Sequence, residues 1–200
     1  MANTAQKTMT GDEFLLWCLD QEERFELVDG LPVPLRGMAG ASRAHDRVVV
    51  NLIAELDHQL GDGPCMPTTA DTALRTAIKR IRRPDVMIEC TPPTGSSYEA
   101  QSPLAAFEVL SPSTRTTDRF RKLGEYMRHP SLLHIVLIDP NPFDVLVYSR
   151  DADAEWSSLA YSQPEDRFQL EGCGATLTLA QIYRGLATPA VPSDPQPQAS

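Results

Sequence analysis

The sequence predicts a single α/β or α+β domain, and three observations carry that reading. The chain has 200 residues, 42% of them hydrophobic, which fits one domain with a real core. Short apolar runs around Val86–Ile88, Leu104–Phe107 and Leu132–Ile138 have the length and composition of buried strands. Elsewhere apolar residues recur at three- and four-residue steps, through Val48, Leu52, Ile53, Leu56 and Leu60 and again through Phe120, Leu123 and Met127, the spacing of helices.

Taken in order, residues 1–9 are polar and are expected to be a flexible N-terminus, with the domain running from 10 to 187. Thr10 and Glu13 form a capping-box pattern that starts a short helix through Phe14, Leu15 and Trp17. Asp29-Gly30 lies between two apolar runs, 24–28 and 31–35, and favours a tight hairpin turn because glycine accepts positive φ. Glu26, between Phe25 and Leu27, is expected to point opposite to them, outward to solvent. Ser42 is an N-cap for the helix that carries His45 at the edge of its apolar stripe and ends at Gly61. His45 there is either a packed histidine or a residue reaching a site at the helix start.

The stretch 65–81 reads as a strand from Met66 to Leu74, a turn, and a return through Ile78, with Asp71 a possible polar ligand. Strands at 85–89 and 104–110 flank a loop rich in proline, glycine and serine, and a helix spans 114–128 until His129-Pro130 stops it. Leu132–Ile138 is apolar enough for a central strand covered on both faces. Strands near 144–148, 156–161 and 167–170 form a peripheral antiparallel meander, and a short helix near 179–186 closes the domain. Residues 188–200 hold Pro189, Pro192, Pro195 and Pro197 and are expected to be a disordered tail.

The formal charge is -9, from 27 acidic and 18 basic residues, which argues against nonspecific coating of nucleic acid. Nine of the 18 basic residues nonetheless lie in two windows, 79–83 and 115–128, beside the acids discussed next. That would suit a phosphate-bearing substrate, although arginines on a helix also make ordinary solvated faces. Cys18, Cys65, Cys90 and Cys173 have no C-x-x-C spacing, so neither a zinc site nor a disulfide framework is expected, and a reducing, cytoplasmic setting follows. No apolar run approaches a membrane span, so no membrane partner is expected.

Asp85 and Glu108 each sit on or beside an apolar strand. Burying an unpaired carboxylate costs several kcal/mol, roughly, unless a cation or hydrogen bonds compensate, so two converging acids suggest a divalent metal held by oxygen. Either acid alone is ordinarily a solvated strand end or a helix cap; the pair, followed by a helix bearing Asp118, Lys122 and Tyr126 at i, i+4 steps, has a catalytic layout.

Pro84-Asp85, then Glu108 twenty-three positions on, then a basic residue, resembles the PD-(D/E)xK nuclease superfamily. More narrowly, Phe25-Glu26-Leu27-Val28-Asp29-Gly30, Arg83-Pro84-Asp85-Val86 and Glu108-Val109-Leu110-Ser111-Pro112-Ser113-Thr114 are similar to the Uma-type restriction endonuclease family, and Asp118-Arg119, Lys122-Leu123, Tyr126 and Ile138-Asp139-Pro140 continue the match. The resemblance spans roughly 10–186. It implies a restriction-endonuclease-like core: a mixed central β-sheet flanked by helices.

It further implies a metal-dependent endonuclease acting on DNA, in which Asp85, Glu108 and the Val109 carbonyl hold Mg²⁺ or Mn²⁺. The superfamily lysine belongs two positions after the second acid, where this chain has Leu110; the family reading moves it to Lys122 on the next helix. An i, i+4 salt bridge to Asp118 is the plain alternative for that lysine. Glu26 and His45 match further family positions, for a second metal position or for general acid/base help, while Tyr126 fits core packing. A homodimer is expected, since two antiparallel strands favour a two-fold arrangement. The alternatives are a catalytically silent nucleic-acid or protein-binding member of the fold, or a phosphoesterase of small substrates.

Overall fold

A computed structural model of the chain describes residues 8–35, 42–110, 117–140 and 143–187. Most of the expected flexible N-terminus, the start of the helix expected from 114 and the proline-rich tail therefore lie outside the described residues.

Helix α1 (Gly11–Cys18) starts at the expected capping box: Glu13 N–H donates to Thr10 Oγ1 at 3.3 Å and Thr10 N–H to Glu13 Oε2 at 2.8 Å. The hairpin β1 (Phe25–Val28) and β2 (Leu31–Pro34) turns at Asp29 and Gly30, with φ of 51° and 85°. Both are left-handed, as the turn that matches strand twist requires. A Cβ at Gly30 would also lie 2.7 Å from Thr8 Cβ. Helix α2 (Arg43–Leu60) is capped by Ser42 Oγ, which accepts from His45 N–H at 3.1 Å, and Gly61 ends it.

The next stretch departs from expectation. Instead of one long strand and a return, it breaks at Asp71-Thr72 into β3 (Met66–Thr69), then β4 (Leu74–Ala77) and β5 (Arg80–Arg82). The pieces join different sheets, so this segment ties the two sheets together. Strands β6 (Val86–Glu89) and β7 (Pro103–Val109) follow, then α3 (Thr117–Met127) and β8 (His134–Pro140). The chain continues through β9 (Phe143–Arg150), β10 (Trp156–Tyr161), β11 (Arg167–Leu170), β12 (Ala175–Thr178) and α4 (Leu179–Ile182).

The principal sheet has six strands in the order β10-β9-β8-β7-β6-β3, and the smaller sheet has four, β2-β1-β5-β4. Among the described strand pairs only β7–β8 is parallel, with α3 as its crossover, so the sheet is mixed as expected. The peripheral antiparallel meander is present, and β9 and β10 join it to the principal sheet through β8, with β10 at the edge. Its last strand pairs with β12, which the sequence reading did not anticipate because Ala175–Thr178 is too short to carry a pattern.

Alternation along the strands divides the core. Val86, Ile88, Ala105, Phe107 and Val136 pack with Val48, Leu52 and Leu56 of α2, while Met87, Ala106, Ile135 and Leu137 pack with Tyr126 of α3. Glu108 has the parity of Ala106, so its side chain belongs to the α3 layer.

Two expectations are corrected here. Cys65 and Cys90 are joined in a disulfide, because the β3–β6 register that opposes Met66 to Glu89 brings the flanking cysteines opposite each other. Cys18 and Cys173 are free thiols. The cysteine argument for a reducing compartment therefore falls away; what stands is that, among the described residues, no helix is long and apolar enough to cross a membrane. Second, the apolar stripe of α3 is buried only in part: Leu123 and Met127 pack against the core beside Tyr126, and Phe120 does not. Phe120 is 69% exposed, whereas Glu125 and Tyr126 are buried.

Candidate active site

Asp85 lies one residue before β6, and the pairing of Val86 with Phe107 sets it opposite Glu108 near the end of β7. Its carboxylate is held from two directions. Val109 N–H donates to Oδ2 at 2.7 Å, and His45 Nε2, from the first turn of α2, lies 3.4 Å from Oδ1. His45 is therefore the site-facing histidine of the two options its sequence position allowed. The hydrogen bond to Asp85 is the main reason its pKa is raised; burial opposes the shift, and the charges of Asp85, Asp46 and Glu108 add to it.

Glu108 is approached by α3. Tyr126 donates its hydroxyl to Glu108 Oε1 at 2.6 Å, and Lys122 Nζ lies 3.3 Å from both carboxylate oxygens. One helical turn separates the two donors, as i, i+4 spacing requires. Tyr126 is thus more than core packing, and its own pKa is raised by burial and by Glu108. Burial is the largest influence on Glu108 and pushes its pKa up to about 7; Lys122 opposes this, Asp85 and Glu26 reinforce it, and the Tyr126 bond opposes it.

Glu26 does not face solvent. It is 4% exposed, its carboxylate enclosed by Arg82 of the neighbouring strand β5, by Arg83 N–H and by Lys122 of α3. Lys122 Nζ is 3.0 Å from Oε1, Arg83 N–H donates to the same oxygen at 3.1 Å, and Arg82 donates to Oε2 at 2.9 Å. The Lys122 ammonium thus lies between two carboxylates from different sheets. The side chain of Asp118, its alternative partner, lies outside the described residues.

Three contributors were not singled out in the sequence: Arg82, Glu125 and the Thr76 hydroxyl. Arg82 is fully buried and donates through Nε and Nη2 to Glu125 at 2.7 and 2.8 Å, while Thr76 donates to Glu125 at 2.9 Å. Burial works against the charge of Glu125, but Arg82 wins and its pKa is lowered. Glu125 could have been suspected from its i+3 spacing to Lys122. Arg82 gave no signal beyond standing beside Arg83-Pro84-Asp85.

Among the described residues, four arginines of the basic windows are engaged within the protein. Arg80 and Arg121 both pair with Asp29, Arg82 with Glu125 and Glu26, and Arg83 donates to the carbonyls of Phe25, Ala70 and Asp71. Asp71 itself is an exposed partner of Arg24 at 2.9 Å, so the structure does not bring it to the acid pair.

Among the described residues, no group of three or more His, Cys, Asp or Glu is arranged to hold an ion by side chains alone. Two opposed carboxylates suit an ion that takes one or two protein carboxylates and fills the rest of its shell with water and substrate, which is the habit of Mg²⁺. Burial raises Glu108 most and repulsion from Asp85 and Glu26 adds to it; a cation there would offset both.

Comparison with known proteins comes to the same architecture. The profile of a family described as "Uma2: Putative restriction endonuclease" matches residues 12–180. Two proteins of Synechocystis sp. are each 30% identical to the chain: uncharacterized protein slr1290 over 181 residues, covering 90% of this chain and 93% of that one, and uncharacterized protein sll1609 over 160 residues, covering 78% and 89%. A crystal structure from Anabaena variabilis, described as "a putative nuclease belonging to DUF820", superposes with a TM-score of 0.69 at 15% identity, covering 88% of this chain and 97% of the other.

Proposed function

Because this chain belongs to the Uma2 family, described as "putative restriction endonuclease", we propose that it is a metal-dependent endonuclease hydrolysing DNA phosphodiester bonds. Asp85 and Glu108, with the Val109 carbonyl, are the residues that would hold Mg²⁺ or Mn²⁺, and Lys122 would assist the attacking water. The observation that supports this best is the meeting of three elements at one point. Asp85, just before β6, stands opposite Glu108 of β7, and Lys122 Nζ of α3 is 3.3 Å from both Glu108 oxygens.

With a divalent ion held by Asp85, Glu108 and the Val109 carbonyl, the site would gain Lewis acidity towards the phosphodiester and its attacking water. The side chains do the rest. Asp85 is kept in one orientation by Val109 N–H and His45, so its oxygens are organised before substrate arrives. Tyr126 fixes one oxygen of Glu108. Lys122 would orient the water and offset negative charge growing on the phosphate oxygens. His45, raised in pKa by Asp85, would hand a proton towards the leaving oxygen. A two-fold pair of chains would let both DNA strands be cut; sedimentation at working concentration reads this directly, with a monomer counting against it.

One observation favours a second reading, a phosphoesterase of small substrates. The arginines of the first window and Arg121 are engaged within the protein, and the net charge is -9, which leaves little cation for a polyanion.

Nicking of supercoiled plasmid at low salt, with Mg²⁺ or Mn²⁺, beside chelator and a Glu108→Ala protein purified identically, tests the proposal. Metal-dependent nicking that vanishes in the variant is the expected result. No nicking by the intact protein, or equal nicking by Glu108→Ala, would sink it.

A further inference from the structure

We propose that Arg82 is the positioning residue for Lys122, holding this helix-borne ammonium against the acid pair through a closed circuit of ion pairs. The catalytic consequence rests on the nuclease reading above; the positioning does not.

A lysine two residues beyond Glu108 would be aimed by the strand itself. Lys122 instead comes from α3, and its aim depends on how that helix is rotated and shifted. One residue of slippage moves a helix by about 1.5 Å and rotates it by about 100°, enough to take an ammonium away from a carboxylate. Something must set the helix against both sheets at once.

Arg82 on β5 is placed to do so. Its Nε and Nη2 grip Glu125 of α3 at 2.7 and 2.8 Å, and Nη1 reaches Glu26 of β1 at 2.9 Å. Glu26 in turn meets Lys122 at 3.0 Å, and Lys122 is one turn from Glu125 on the same helix. The circuit Arg82–Glu125–α3–Lys122–Glu26–Arg82 thus closes on itself. The two-pronged contact fixes orientation as well as distance, which a single charge cannot do.

Energetics point the same way. Buried ion networks are often no more stabilising than apolar side chains of equal volume, because desolvation opposes the attraction. Fixing a geometry is the better account of a fully buried arginine between two acids. Glu26, with Arg82, Arg83 N–H and Lys122 on its oxygens, acts within the circuit as the immediate cradle of the lysine.

The test uses the full chain with Arg82→Lys, Lys122→Met and the double substitution, each checked for cooperative melting. ¹⁵N spectra of the lysine ammonium groups report positioning without any reaction; the Lys122 signal is identified by its loss in Lys122→Met. The intact protein is expected to show a slowly exchanging Lys122 signal that disappears in folded Arg82→Lys. Nicking by Arg82→Lys is expected to be roughly 10²-fold slower at saturating plasmid with KM little changed, the cost of an ångström-scale misplacement. The double variant is expected to be no slower than Lys122→Met alone, since a residue acting only through Lys122 has nothing further to lose. A Lys122 signal unchanged in Arg82→Lys, or losses that multiply in the double variant, would overturn the proposal. Should Arg82→Lys not fold, Glu125→Gln opens the same circuit and is judged identically. If the intact protein nicks nothing, the nuclease reading fails, while the ammonium signal still decides the role of Arg82.

Discussion

Glu108 concentrates the chemistry at the scale of single residues. Its pKa is raised from the ordinary value of 4.5 to about 7, so the folded protein retains a proton that the unfolded chain has released. The stability linked to that proton is full below about 4.5 and is lost as pH rises through about 7. Metal-free protein should therefore melt at falling temperature as pH is raised over this range, and Glu108→Gln, neutral throughout, should flatten the decline. Calorimetric scans check both, and an added divalent ion should raise Tm more above pH 7 than below it, because at low pH it must first displace the proton. His45 has the opposite chemistry but the same sense: its raised pKa contributes stability that is full below 6.5 and fades as pH passes the raised value. Tyr126→Phe keeps the ring and removes only the donor to Glu108, so urea denaturation should register a loss of about 1.5 kcal/mol or more. Nicking by that variant should slow about tenfold, in keeping with the loss of one orienting hydrogen bond.

At the scale of elements, the site depends on where α2, α3 and the β3–β6 pair are anchored. Ser42 caps α2 three residues before His45 N–H, so the cap fixes the very turn that delivers the imidazole to Asp85. Strand β3 is an edge strand, held to β6 by its ladder and by the Cys65–Cys90 disulfide that closes a loop of separation 25. Loop-closure entropy makes such a link worth about 3 kcal/mol. Replacing both cysteines with serine should lower stability by up to about that amount in urea titration, and reductant should lower the parent protein to the same level while leaving the variant unmoved. Helix α3 is the element that periodicity reads only in part. Leu123 and Met127 pack against the core and Phe120 is exposed, while Lys122, Glu125 and Tyr126 reach Glu108, Arg82 and Glu26.

For the whole molecule, charge decides what the site can attract. With a net charge of -9 and the arginines near the acids paired internally, long-range attraction for a duplex is weak. Binding to plasmid should accordingly be confined to low ionic strength, and the slope of log affinity against log salt, read by filter binding or anisotropy, should correspond to only a few phosphate contacts. A nearly flat dependence would favour the small-substrate reading. Local rules written in the sequence were enough for the capping box at Thr10, the Asp29-Gly30 hairpin, the Ser42 cap and the central strand, read at 132–138 and found at His134–Pro140, because each depends on residues a few positions apart. The tertiary structure alone decided the inward turn of Glu26, the use of His45, the partners of Lys122, the buried arginine between two acids and the pairing of Cys65 with Cys90. Those contacts join residues far apart in sequence. Their charges become tolerable inside the protein only when a partner from another element arrives, and no window of sequence holds both partners.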